Sequence, residues 1–179
     1  IKNLLASITV IGIYLDINKL NKNIFYDHKT FNGRGDISNI EINKKNVYLI
    51  DESYNSNPLS VKSAIENFHK LKVKSSKKYL ILGEMLELGN HSKKLHLALS
   101  KIINKTSIDC VSVIGKHIIE TYKDISKSKK GLILKHNSQI IDLIKNNIDN
   151  NDYIMIKGSN STGLHKVVNA LKTGNINAL

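Results

Sequence analysis

The 179-residue chain carries 27 lysines and arginines against 15 acidic residues, a formal charge of +12, with 41% hydrophobic residues. That apolar content suffices for a packed core and excludes wholesale disorder. The basic excess is nearly all lysine, spread along the chain beside abundant isoleucine and asparagine, and aromatics stand at 6% with no tryptophan; composition bias accounts for the charge, stacking platforms are lacking, and no nucleic-acid partner is expected.

The chain begins IKNLLASITVIGIYL, where Leu4, Leu5, Ile8, Ile11 and Leu15 recur at helical spacing. Asp16 and Asn18 break the pattern before KLNKNIFYDH, so two helices are expected in the first thirty residues. A chain that starts inside an apolar helix is expected to be a fragment. The stretch NGRGD, Asn32 to Asp36, then marks a loop and a domain boundary.

Beyond it the pattern becomes alternating strands and helices. Ile37 to Ile42 is expected to pair with Val47 to Asp51 across the turn NKKN. The short runs VYLID, YLILG, CVSVIG, LILKH and YIMIKG, starting at Val47, Tyr79, Cys110, Leu132 and Tyr153, have the length of buried strands. Helical patterns cover Leu59 to Leu71, His91 to Asn104, Lys116 to Asp124, Ser138 to Asn147 and Thr162 to Leu171. Such alternation predicts an α/β fold, a mostly parallel Rossmann-like sheet with helices on both faces. The lone Cys110 reads as a small buried hydrophobe, in keeping with a reducing cytoplasm. No run reaches the roughly 18 apolar residues that span a bilayer, and no membrane insertion is expected.

Ligands of open parallel sheets bind beyond the strands' carboxyl ends, which points to DESYNSNP, GEMLELG and KGSNSTG. In the first, Pro58 suits a helix start and Asn57 its cap. Asp51 and Glu52 stand side by side there, a costly arrangement unless cations or ligand hydroxyls use them. In the second, Glu84 and Glu87 lie between glycines. His96 follows on a helix, and no cluster of metal-ligating residues shows zinc-like spacing. In the third, Gly158 and Gly163 have the spacing of a phosphate loop, but Leu164 and His165 stand where Lys–Ser/Thr is required, so it is not one. Lys157 and Ser159 at that strand's end are still suited to an anionic group.

Arg34 is the only arginine among the 27 basic residues. An exposed ion pair is worth about 0–1 kcal/mol and needs no guanidinium. A rigid bidentate fork kept amid lysines points to phosphate or carboxylate recognition.

Taken together, GRGD, LIDESYNSNP, LILGEMLELG, His96 and YIMIKGS resemble, in order and spacing, the C-terminal part of the Mur ligase family, in its branch that adds D-alanyl-D-alanine to a UDP-N-acetylmuramoyl tripeptide. The similarity runs over nearly the whole chain. It implies a C-terminal Rossmann-like domain over residues 33–179, preceded at 1–32 by the last helices of a truncated central ATP-binding domain. It implies ATP and Mg²⁺, the magnesium ligands lying in the missing central domain, and an acyl-phosphate intermediate attacked by the dipeptide amine. By carry-over, Arg34 is the catalytic, phosphate-facing cation, and Asn3, Asp51 and Glu52 join it in binding ATP. Glu52 departs conservatively from the aspartate of many relatives. Tyr54, Asn55, Asn57, Glu84, Met85, Glu87, Lys157 and Ser159 are the implied substrate contacts. The full-length enzyme is expected to be a cytoplasmic monomer, and the fragment alone inactive. The alternatives are another Mur-type amide ligase and a non-catalytic Rossmann-like binding module.

Overall fold

The computed structural model describes residues 2–21, 23, 26 and 32–176. The chain divides into two compact units, residues 1–30 and 31–179. In the first, helix α1 spans Lys2–Tyr14 and a single 3₁₀ turn spans Ile17–Lys19, where Asp16 accepts a hydrogen bond from the Asn18 amide. The break expected at Asp16 is therefore present. The second helix expected over KLNKNIFYDH falls largely outside the described residues.

The second unit contains one six-stranded sheet, in the spatial order β1-β2-β6-β3-β4-β5. Its strands are β1 (Asp36–Ile42), β2 (Lys45–Glu52), β3 (Lys78–Leu82), β4 (Cys110–Ile114), β5 (Lys130–Leu134) and β6 (Tyr153–Lys157). β1 and β2 form an antiparallel hairpin, and the other neighbours are parallel. The hairpin loop is shorter than the expected NKKN. Only Asn43 and Lys44 turn, both at positive φ, as a two-residue loop needs to match strand twist.

The helices are α2 (Pro58–Lys70), α3 (Ser92–Ile103), α4 (Ile119–Asp124), α5 (Ser138–Asn147) and α6 (Leu164–Thr173). Strand residues alternate between two cores. Leu49, Ile81, Ile154 and Ile156 pack with Ile140, Ile144, Val167 and Val168 of α5 and α6. Ile50, Leu80, Leu82 and Met155 pack with Ile65, Phe68, Leu99 and Ile103 of α2 and α3 on the other face. This period-2 alternation, with both sides apolar, is why the central strands read as continuous hydrophobic runs.

β5 departs from the sequence expectation. It begins two residues before Leu132, its pairing with β4 is irregular between Val111 and Val113, and Leu132 and Ile133 are exposed. It is one of the sheet's two edge strands, and its apolar run is not covered as the central ones are. Among the described residues no helix is long and apolar enough to cross a membrane.

Candidate functional site

The chain leaves β2, skips one position to β3, moves outward to β5 and returns to place β6 between β2 and β3. The carboxyl ends of these three strands are therefore neighbours. Glu52, Lys157 and Leu82 stand at one level of the sheet, and the three motif loops leave from that level. This is the crevice at which open α/β sheets bind ligands.

Lys157 occupies the middle of it. Its side chain is 1% exposed, and its Nζ donates to the Asn55 carbonyl at 2.6 Å, to Glu52 Oε2 at 3.3 Å and to the Glu52 carbonyl at 3.4 Å. Three acceptors match three ammonium hydrogens. Burial holds its pKa below the ordinary lysine value, Glu52 opposes that shift, and the charge of Arg34 adds to it. Lys157 thus shapes the first loop. The expectation that it anchors a substrate anion meets a side chain whose donors are engaged within the fold.

Asp51 and Glu52 resolve differently from a shared site. Adjacent strand residues face opposite sides of a sheet. Glu52 turns to Lys157, while Asp51, on the α6 face, meets Lys172 Nζ at 2.9 Å and accepts from the Ser53 amide and hydroxyl at 3.1 and 2.6 Å. Lys172 also bridges to Asp36 at 2.5 Å, the residue directly opposite Asp51 in the hairpin. Asp51 is buried and fully partnered, so only Glu52, at 24% side-chain exposure, keeps acceptor capacity toward a ligand.

The Arg34 loop is fixed by backbone. The Gly35 amide donates to the Asp51 carbonyl at 2.7 Å, the Tyr54 amide to the Gly33 carbonyl at 3.3 Å, and the Gly33 amide to Asp36 Oδ1 at 3.1 Å. Gly33 has φ +79°, and a Cβ there would lie 2.7 Å from that of Tyr54, so only glycine fits. Arg34 is exposed, its guanidinium 5.0 Å from the centre of the Tyr54 ring. Among the described residues it forms no ion pair within 4.0 Å. The surface-pair explanation for this arginine is therefore absent, and a cation stacked on an aromatic face stands ready for an anion.

A cleft of about 500 Å³ joins the three loops, lined by Tyr54, Asn55, Ser56 and Asn57, by Leu86, Glu87 and Leu88, and by Ser159, Asn160 and Ser161. Asn57 also caps α2 in a reciprocal box with Ser60, with Pro58 in the first turn, as expected of a capped turn. Ser159 Oγ accepts from the Leu86 amide at 3.1 Å and donates to the Ser56 carbonyl at 3.4 Å, tying the loops together.

Two expected substrate residues lie elsewhere. The Met85 side chain is buried in the α2–α3 core. Its amide donates to His96 Nε2 at 3.0 Å, so the other ring nitrogen carries the proton and donates to the Ser92 carbonyl at 2.8 Å. Buried His96 braces the second loop, and desolvation lowers its pKa. Glu84 turns away from Glu87 and accepts from the His117 amide beside Gly115. Gly115 has φ +122°, and a Cβ on it would fall 2.3 Å from Glu84 Cγ, which shows how closely that carboxylate is packed. Asn3 lies on α1, but its side chain is outside the described residues. Ser56, Leu86, Asn160 and Ser161 were not anticipated from the sequence. Ser56 is the nearest to legible, since it stands inside DESYNSNP between named residues. No group of three or more His, Cys, Asp or Glu suited to a metal exists among the described residues.

A mostly parallel sheet covered on both faces, with three loops converging at its carboxyl edge, places the chain among the α/β proteins that bind ligands at that edge. The chain belongs to the Mur ligase family: residues 39–160 match its Mur ligase, glutamate ligase domain. It is similar to the UDP-N-acetylmuramoyl-tripeptide–D-alanyl-D-alanine ligase of Rickettsia prowazekii, at 31% identity over 88% of this chain and 35% of that protein. It is likewise similar to the Bacillus subtilis enzyme of that name, at 32% over 69% of this chain and 27% of that protein. The MurF ligase of Thermotoga maritima, solved in complex with ADP, superposes with a TM-score of 0.71 at 23% identity, covering 94% of this chain and 36% of that one. The chain thus spans about a third of the length of these relatives.

Proposed function

We propose that this chain is the C-terminal portion of an ATP-dependent ligase that joins D-alanyl-D-alanine to the UDP-N-acetylmuramoyl tripeptide in peptidoglycan precursor synthesis. Residues 1–32 would close a central ATP-binding domain and 33–179 form the C-terminal domain. The enzyme would act in the cytoplasm, as a monomer without membrane insertion, and serve cell shape and division. The observation that carries this reading is the convergence of three loops on one cleft beside an arginine that has no ion pair among the described residues. The names of the relatives supply the substrates.

In this mechanism Arg34 offers its guanidinium fork to phosphoryl oxygens while charge moves from ATP to the tripeptide carboxylate. Glu52 accepts from the ribose hydroxyls. Tyr54, Asn55, Asn57, Glu87 and Ser159 hold the dipeptide so that its amine meets the acyl phosphate in line. The ligands of Mg²⁺ would lie in the central domain upstream; among the described residues no group of three or more His, Cys, Asp or Glu is suited to hold it.

The test is Arg34→Lys in the whole protein, extended upstream of Ile1. This keeps the charge and removes the fork, and a loss of about tenfold or more in kcat/KM with D-alanyl-D-alanine is expected. Unchanged turnover refutes the role of Arg34. A preference of the wild type for a single amino acid over the dipeptide refutes the substrate. The 179-residue chain by itself is expected to show no ATP- and dipeptide-dependent turnover.

A further inference from the structure

Lysines scattered along the sequence are gathered by the fold at the amino edge of the sheet, the end opposite the cleft. The loops that enter β3, β4 and β5 (residues 71–77, 104–109 and 125–129) are neighbours, because those strands are. They carry exposed Lys72, Lys74, Lys77, Lys105 and Lys127, against one exposed acid, Asp109. None of these lysines forms an ion pair within 4.0 Å among the described residues. The helix dipole favours a cation in a last turn, which accounts for Lys70 and Lys101 but does not reach Lys74 and Lys77.

Hydrogen bonds tie the three loops into one surface. The Ser107 amide donates to His69 Nδ1 at 2.9 Å, and the Lys78 amide to Asp109 Oδ2 at 2.8 Å. The Ser126 amide donates to Asn104 Oδ1 at 2.8 Å, and Lys129 Nζ donates to the Thr106 and Ile108 carbonyls at 2.7 Å each. The exposed ammonium groups therefore stand on a braced base.

An apolar feature adjoins them. A hollow of about 530 Å³ is lined by Lys77, Asp109 and Ser128 of these loops together with Leu132 and Leu143. Leu132 is 49% exposed, and its neighbour Ile133 is 47% exposed. The three loops contain no arginine and no aromatic residue, so they lack both the bidentate forks and the stacking faces with which nucleic acid is read. Point cations beside exposed aliphatic side chains suit a surface of diffuse negative charge with an apolar interior.

We propose that the amino edge of the sheet is a docking surface for an anionic phospholipid bilayer, with the loop lysines on the lipid phosphates and Leu132 entering the headgroup boundary. The association is peripheral. The cleft lies at the other ends of the same five-residue strands, roughly 16 Å away, and stays open to solvent.

The test is sedimentation of the whole protein, extended upstream of Ile1, with vesicles of phosphatidylcholine alone or with phosphatidylglycerol added. Wild type is expected to bind only the anionic vesicles and to leave them as salt is raised. Replacing Lys72, Lys74 and Lys127 together by Gln is expected to weaken binding about 100-fold. Leu132→Ser is expected to weaken it about tenfold. Replacing Lys93, Lys94 and Lys135, which are exposed at the carboxyl edge, removes the same net charge and is expected to leave binding nearly unchanged. No binding to anionic vesicles overturns the proposal, as does an equal loss from the two lysine triples, which would make net charge alone responsible. A short DNA duplex that binds as tightly as the vesicles, with Leu132→Ser neutral toward both, makes this a nucleic-acid face and overturns the assignment to lipid.

Discussion

Replacing Lys157 by Met tests whether the centre of the site is built around a structural cation. The methionine keeps most of the buried volume, so the cavity contribution is small. What changes is pairing. The Asn55 carbonyl, now 2.6 Å from Nζ, loses a charge-assisted partner, and the Glu52 carboxylate loses the cation paired with it. A hydrogen bond to a charged group contributes about 1.5–3 kcal/mol. The Glu52 contact is longer, at 3.3 Å, and partly solvated, so about 1 kcal/mol is appropriate for it. Against this stands the desolvation that holds the Lys157 pKa down, which the variant no longer bears. The net expectation is a loss of about 2–3 kcal/mol, or roughly 4–12 °C in Tm for a domain of this size. Thermal denaturation followed by circular dichroism measures it. Adding Glu52→Gln to Lys157→Met should recover part of the loss, since removing both members leaves no lone charge. If Lys157→Met melts within about 1 °C of wild type while dipeptide binding is lost, the lysine is a ligand anchor and its placement here as a strut is wrong.

Lys172→Met leaves Asp36 and Asp51 facing each other across the hairpin, and a loss of about 2–3 kcal/mol is expected, below that of a fully buried pair. Burial pulls the Lys172 pKa down, but the hydrogen bonds its ammonium donates to Asp36 and Asp51 raise it above 10.5 overall; its stabilisation is therefore complete below that pH and lost as pH rises through the folded value, so a Tm gap between wild type and variant that stays constant into the alkaline range would contradict it. His96 has the opposite sign. Burial lowers its pKa below 6.5, so the unfolded chain binds a proton that the folded chain refuses, and stability falls as pH drops beneath 6.5. His96→Gln should flatten the Tm-against-pH slope on that acidic side, and an unaltered slope counts against a neutral, buried His96.

The strands were legible because both faces of the central sheet are covered, which leaves runs such as YLIL and YIMI apolar without interruption. The same criterion failed at β5, where LIL is equally apolar but sits at an edge; composition within five residues does not say which strand ends the sheet. The site divided along another line. Each motif was locatable at a strand's carboxyl end, yet the task of each polar residue depended on partners far away in sequence. Lys157 meets Asn55, 102 residues earlier, and Lys172 meets Asp51, 121 residues earlier. The split between Asp51 and Glu52 follows from strand alternation alone, whereas the lysine that each one faces does not.

Motif density at a strand end therefore serves the fold as well as a ligand. Loops that leave a sheet have backbone carbonyls and amides that need partners, and buried polar side chains supply them. Here Lys157 fills that need for the first loop, His96 for the second, and Glu84 for the turn after β4. Once those obligations are met, Arg34, Glu52 and Glu87 are among the groups with capacity to spare. On the proposed function, Arg34 facing a phosphate, Glu52 facing a ribose and Glu87 facing an ammonium would together hold a nucleotide against an amine substrate.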